Sequence, residues 1–203
     1  EYCSLNFINS SYSGTVDNYH CEGVICISRM KYTWFASRNV FVFESFEVND
    51  VSLPPEKSFI NLQITNCFME IKDSVFSNVT QVINATAEQG YENGYLFHMQ
   101  LFNSCFKQCF SHHSGAVINT VIVSNIVLKY VISMRNCEFK ENTAVTGGVL
   151  NMQAKKYHSF NGDPISLVIT DCFFSDNIAE IAGALFIGKG IHTVVEDTIF
   201  SDR

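Results

Sequence analysis

The chain has 203 residues, 47% of them hydrophobic and 18 of them Phe, enough apolar surface for a continuous core, which excludes a disordered chain. Its formal net charge is −7 with only 13 Lys and Arg, and no basic stripe runs along it. That balance excludes the electrostatic footprint of a nucleic-acid binder.

In chain order, the first signal is a glycosylation sequon, Asn-Ser-Ser at Asn9. "CEGVICIS" (Cys21 to Ser28) joins a Gly step to a short β-branched run. Phe46, in "SFEVND", is expected to open a series of spaced Phe residues. Pro54 and Pro55 mark a loop. "FINLQITNCFMEI" (Phe59 to Ile71) has a strand composition and leads into "DSVFSNV" (Asp73 to Val79). Two more sequons stand at Asn78 and Asn84. "TAEQGYENGY" (Thr86 to Tyr95) is a loop, expected to project from the strands. The most apolar stretch, Ala116 to Met134, is interrupted by Asn119, Ser124, Asn125 and Lys129, which argues against a bilayer helix. Its Val and Ile content predicts strands. There is no initiator Met and no signal peptide, and the chain stops inside a motif, "DTIFSDR". A piece of a longer polypeptide is expected.

One string recurs. "NCEFKENTAVTGGVL" (Asn136 to Leu150) is rewritten as "DCFFSDNIAEIAGAL" (Asp171 to Leu185), and "NSCFKQCFSHHSGAV" (Asn103 to Val117) joins them without a gap. Truncated forms begin at Asp73 and Asp197. Phe76, Phe106, Phe139, Phe174 and Phe200 recur roughly 26 to 35 residues apart, a solenoid spacing. An Asx residue stands three before each Phe, followed by a small residue: Ser74, Ser104, Cys137, Cys172 or Thr198. Helical repeats would need a 3.6-residue apolar period, and "SLVITDCFF", "GALFIG" and "HTVVEDTIF" instead give short β-branched runs between Asx, Gly and Ser. Stacked strand over strand in parallel, with a rise of about 4.8 Å per coil, these units make an all-β parallel β-helix of about six coils. The alternative is a β-sandwich, which does not require a recurring string.

In that frame the Phe residues stack inward, the Asx residues bond their own backbone at a bend, and Ala144 and Ala179 fill a tight slot. Gly115, Gly147, Gly148 and Gly183 turn the chain sharply beside the next coil. One domain is expected over residues 1–203, with irregular coils over 1–100 and regular coils over 101–203.

"FKEN" with "GGVL", "FSDN" with "AGAL", "FEVN" and "SGAV" resemble the FxxN and GGA[ILV] motifs of the polymorphic outer membrane protein repeats. Those occur in chlamydial autotransporter passengers and in protist surface proteins. The resemblance covers the chain from about Asn103 onward. It implies an extracellular, single-stranded, right-handed β-helix, a pectin-lyase-like solenoid, used for adhesion or as a surface scaffold. Cys109, Val79 and Arg203 depart from the pattern at the motif Asn.

Candidate chemistry is sparse. Asn9, Asn78 and Asn84 would carry N-glycans if a eukaryote secretes the chain, with Asn78 in a polar turn slot shared by Gln108, Glu141 and Asp176. Eight Cys either pair in an oxidising compartment or pack as small apolar residues. Cys21 with Cys26 and Cys105 with Cys109 are disulfide candidates near turns. Cys137 and Cys172 share one slot a coil apart, where a reduced, buried column is expected and a disulfide is the alternative. "CFKQCFSHH" (Cys105 to His113) offers two Cys and two His, but its spacing is loose for structural zinc, so neither metal nor cofactor is expected. Carbohydrate-cleaving chemistry would need a carboxylate pair or a Ca²⁺-binding acidic cluster, and stacking could gather Glu138, Asp171 and Asp197 on one face. The acids otherwise fall where turn chemistry explains them. The expected function is a non-enzymatic cell-surface shaft, an adhesin or a filament and glycocalyx scaffold. Its partners would be further coils, a second subunit end to end, or a host-cell or matrix surface. The alternative is a polysaccharide lyase or hydrolase.

Overall fold

Each recurring run is too short to be stable by itself, and its β-branched side chains suit a pleated, half-buried surface, so it must pair with its own copies. In the computed structural model the copies lie over one another as rungs of a parallel β-solenoid. The structure describes residues 4–15, 23–27, 39–62, 66–87, 95–123, 127–154 and 165–201. Among these there is no helix.

The first rung holds β1 (Ser4–Ile8), β2 (Ser11–Thr15) and β3 (Gly23–Ile27). The second holds β4 (Asn39–Glu44), β5 (Glu47–Ser52) and β6 (Ser58–Leu62). The third holds β7 (Asn66–Lys72), β8 (Val75–Val79) and β9 (Ile83–Ala87). The fourth holds β10 (Tyr95–Phe102), β11 (Cys105–Lys107) and β12 (Ile118–Ile122). The fifth adds a short strand, giving β13 (Val127–Arg135), β14 (Glu138–Lys140), β15 (Thr143–Thr146) and β16 (Leu150–Ala154). The sixth repeats it with β17 (Ile165–Thr170), β18 (Phe173–Ser175), β19 (Ile178–Ile181) and β20 (Leu185–Ile187). A further rung begins with β21 (His192–Glu196) and β22 (Ile199–Ser201).

Equivalent strands pair in parallel, and two of the three long sheets contain seven strands while the third contains six. The count differs slightly from the expected six coils, because β21 and β22 extend two of the sheets. Parallel pairing of every rung with the next replaces the two facing layers of a sandwich.

The core follows from the period of two. On β10, β13 and β17 the inward residues Phe97, Met99 and Leu101, then Tyr130, Ile132 and Met134, then Ile165, Leu167 and Ile169 are all buried. Register sets them in columns, for example Leu101 over Met134 over Ile169. The Phe series forms the neighbouring column. Phe76, Phe106, Phe139, Phe174 and Phe200 stack with centroid separations of 5.1, 5.3, 4.7 and 4.7 Å and nearly parallel planes.

Two details of the repeat frame are corrected. Val48, not Phe46, pairs with Phe76, so Phe46 falls two residues out of the series and meets Phe76 edge-on at 6.2 Å. "FEVN" is therefore not in the motif frame. The Asn103 string also contains one extra residue. Phe110 bridges to Thr143 and Ser114 to Thr146, so the extra residue lies in the Ser111–His113 turn. There the His113 carbonyl accepts from both Val145 N and Thr146 N, at 3.0 and 3.1 Å. Gly115 consequently sits over Gly147, and Ala116 over Gly148.

Asx residues hold the bend between the first two sheets. Asn9, Ser45, Asp73, Asn103, Asn136, Asp171 and Asp197 all adopt left-handed backbone, with φ between 46° and 53°. That conformation is least costly for Asn, Asp and Gly among coded residues. Gly115 and Gly147 fill a further left-handed slot at φ 55° and 58°. In the sixth rung that slot holds Ala182 at φ 57° rather than Gly183. The close approach falls at Gly148 instead: its N–H donates to the Gly183 carbonyl at 2.7 Å and a Cβ on it would lie 2.4 Å from that oxygen, whereas a Cβ on Gly183 would meet only Asn177 O at 3.6 Å. Ala182→Gly should therefore relieve backbone strain and stabilise the fold by about 1 kcal/mol, read as a higher urea midpoint.

Candidate functional site

The small residue after each Asx is a hydrogen-bond donor as well as a space filler. Ser74, Ser104 and Thr198 donate to the carbonyl two residues back at 2.7, 2.8 and 2.8 Å, and the thiols of Cys137 and Cys172 do the same at 3.3 Å each. Ser74, Ser104 and Thr198 also accept a backbone N–H from the preceding rung. Outside this column the Asx side chains form a second one. Asn103 Nδ2 donates to Asp73 Oδ1, and Asn136 Nδ2 to Asn103 Oδ1 at 2.8 Å. Arg135 Nε lies 3.9 Å from Asp171 Oδ2.

These columns line an open groove of about 620 Å³ that runs across rungs three to six. Asp73, Asn103, Asn136 and Asp171 form one wall, and Val75, Cys105, Glu138 and Phe173 contribute from the strands. Glu138 and Asp171 thus share the groove, while Asp197 is not among its lining residues.

The motif Asn is buried and acts as a bracket. Asn142 Oδ1 accepts from Cys109 N at 2.9 Å, and Asn142 Nδ2 donates to Phe106 O at 3.0 Å, both on the preceding rung. Asn177 repeats this one rung on, accepting from Asn142 N and donating to Phe139 O. Cys109 occupies the same slot in the fourth rung, where its thiol reaches Phe76 O at 3.7 Å as a weak donor. That places Cys109 inside the solenoid, and Cys105 on the outer, groove-lining face. The disulfide expected between them is corrected: both are free thiols, as are Cys67, Cys137 and Cys172. Alternation of faces along the strand and turn separates the two sulfurs. Cys21 lies outside the described residues and only the backbone of Cys26, in β3, is described, so their pairing lies outside them too.

Burial pushes the Cys67 and Cys109 thiols up to about 12, which leaves no thiolate for nucleophilic work near neutrality. Burial also raises Cys105, with the Glu138 carboxylate adding to it. His112 and His113 are exposed, and His113 Nε2 lies 3.6 Å from Glu56 Oε1. The four side chains of the "CFKQCFSHH" stretch therefore do not converge. Among the described residues no group of three or more His, Cys, Asp or Glu is placed to share an ion.

Sequence reasoning missed one ladder. Asn84 Nδ2 donates to Asn61 Oδ1 at 3.1 Å, Asn119 Nδ2 to Asn84 Oδ1 at 3.0 Å, and Asn151 Nδ2 to Asn119 Oδ1 at 2.7 Å. Its signal was present as a recurring aliphatic-Asn pair, at Ile60-Asn61, Ile83-Asn84, Ile118-Asn119 and Leu150-Asn151. The Asn84 sequon is therefore half-buried in a run of amides. Asn9 and Asn78 are exposed at left-handed turns, and Asn78 Nδ2 donates to Asp50 Oδ1 at 2.9 Å.

The chain matches no protein-family model, no curated protein and no solved structure.

Proposed function

We propose that the chain is a rigid, non-enzymatic structural shaft outside the cell, part of a surface adhesin or of a filament or glycocalyx scaffold. The observation that carries this reading is the register of side-chain columns along the stack: the aromatic column runs from Phe76 to Phe200, the Asx amides link Asp73 to Asn136, and the Asn ladder runs from Asn61 to Asn151. Such columns couple every coil to the next, so the solenoid resists bending and presents a long lateral surface. The resemblance of its Phe, Asn and Gly motifs to the polymorphic outer membrane protein repeats supports the same reading, and Asn9 and Asn78 offer exposed positions for N-glycans.

In β22, Ile199 is 60% and Phe200 52% exposed, at the edge of one sheet. Unpaired strand edges with apolar side chains are natural seats for a further coil or a second subunit. Analytical ultracentrifugation over a wide concentration range, with negative-stain imaging, separates the two forms. A filament gives concentration-dependent, end-to-end growth, and an adhesin gives a monomeric rod that binds cell or matrix surfaces. Incubation with polyuronates is expected to release no unsaturated or reducing ends; their release would overturn the structural reading in favour of a lyase or hydrolase acting in the groove.

A further inference from the structure

Cys137 and Cys172 stand in the same slot of the fifth and sixth rungs, because Glu138 pairs with Phe173 immediately after them. Equivalent residues of paired strands lie about 4.8 Å apart, inside the Cα separation that a disulfide spans. Each thiol points back at the carbonyl two residues before it, so both side chains take the same direction. The interaction between the two sulfurs holds the Cys172 thiol below the ordinary range and, together with burial, the Cys137 thiol above it. Both are only 3% exposed, yet Cys137 lines the open groove, through which a molecule the size of water can approach.

We propose that Cys137 and Cys172 are an oxidisable thiol pair that a peroxide converts into a disulfide tying the fifth rung to the sixth. The sulfur of one cysteine, as thiolate, attacks a peroxide oxygen; the O–O bond breaks, the sulfur becomes a sulfenic acid and hydroxide leaves. The second thiol then attacks that sulfur, the S–O bond breaks and water departs. Two thiols lose two electrons in all, and one hydrogen peroxide is reduced to two waters. The slot tolerates Ser in the fourth rung and Thr in the last, so packing alone does not require sulfur in both rungs.

The test treats the folded full chain with hydrogen peroxide, alkylates the remaining thiols and maps tryptic peptides without reduction. The expected result is a dominant linked pair, the peptide Asn136 to Lys140 joined to the peptide Tyr157 to Lys189, which a dithiol reductant separates. Oxidation should also raise the urea midpoint of the wild-type chain, and Cys172→Ser should lose that increase while retaining the β spectrum of the parent. Alkylation of both cysteines, their conversion to unlinked sulfinic acids, or disulfides to other cysteines instead would overturn the proposal. So would a variant Cys172→Ser that cross-links through Cys137 as fast as the parent does.

Discussion

Phe139→Ala is expected to destabilise the fold by about 3–5 kcal/mol. Phe139 is fully buried, with ring partners 5.3 Å below and 4.7 Å above, so truncation leaves a cavity and removes two stacked contacts at once. The surrounding rungs cannot collapse into that cavity, because their backbones are fixed at the strand spacing by parallel hydrogen bonds. A solenoid is close to one-dimensional, so a hole in the middle of the aromatic column also weakens the coupling between the halves on either side. Urea unfolding should show a lower midpoint together with a shallower slope. Phe200→Ala supplies the comparison. That ring is half exposed and has a single partner in the column, Phe174, so its loss should cost about 1 kcal/mol and leave the slope unchanged. Equal costs for the two substitutions would show that the column is not what binds the rungs.

The repeat was legible because its slots combine unusual requirements. A left-handed bend wants Asx, the next position wants a small donor, and an inward stack wants one ring size. Asp73, Ser74 and Phe76 satisfy all three together, and so do Asn103, Ser104 and Phe106. The frame failed where a slot tolerates substitution. In the second rung Ser45 takes the bend and Val48 the stack, so the eye is drawn to Phe46, which belongs to a different position. The one-residue excess at Ser111–His113 escaped because it sits in a turn, where no ladder fixes register and spacing from Phe to Gly is preserved by coincidence.

The candidate site was less legible than the fold. Glu138 and Asp171 are far apart in sequence, and only stacking brings both to one groove, without the Asp197 that the repeat frame grouped with them. The Cys105 and Cys109 pairing failed because proximity in sequence says nothing about which side of the wall a side chain takes. The Asn61, Asn84, Asn119 and Asn151 ladder was hidden by a competing reading, since Asn-Ala-Thr at Asn84 is also a sequon. Each of its members looks like an ordinary polar residue on a half-exposed strand, and the amide chain exists only once the rungs are superposed.

Asn142→Leu should cost about 3–5 kcal/mol, although it keeps the volume and adds apolar surface. The reason lies in where the second-sheet strands stop. In the second and third rungs β5 and β8 run on to Ser52 and Val79, and Val51 pairs with Val79 through the backbone, so an apolar side chain suffices in that slot. From the fourth rung onward β11, β14 and β18 have three residues each, and the wall turns earlier. The N–H of Cys109 and the carbonyl of Phe106 then have the Asn142 amide as partner. Leu leaves the Cys109 N–H buried and unpaired, at about 1–3 kcal/mol, and takes from the Phe106 carbonyl the second donor it has beside the strand ladder. It also removes the donor that Asn142 Nδ2 offers to Asn177 Oδ1 at 3.0 Å. Asn142→Asp separates shape from hydrogen bonding. Its carboxylate would face the Phe106 carbonyl and the Asn177 Oδ1, so only the protonated form fits and its folded-state pKa must rise above the ordinary value near 4. Stability of this variant should then be greatest below about pH 4 and fall as pH rises through the folded pKa, because the folded state holds the proton longer than the unfolded chain. Urea midpoints of the parent and Asn142→Asp, compared from pH 3 to pH 7, check the sign. A constant difference across that range would mean that the carboxylate finds solvent, and that the amide does not bridge the rungs.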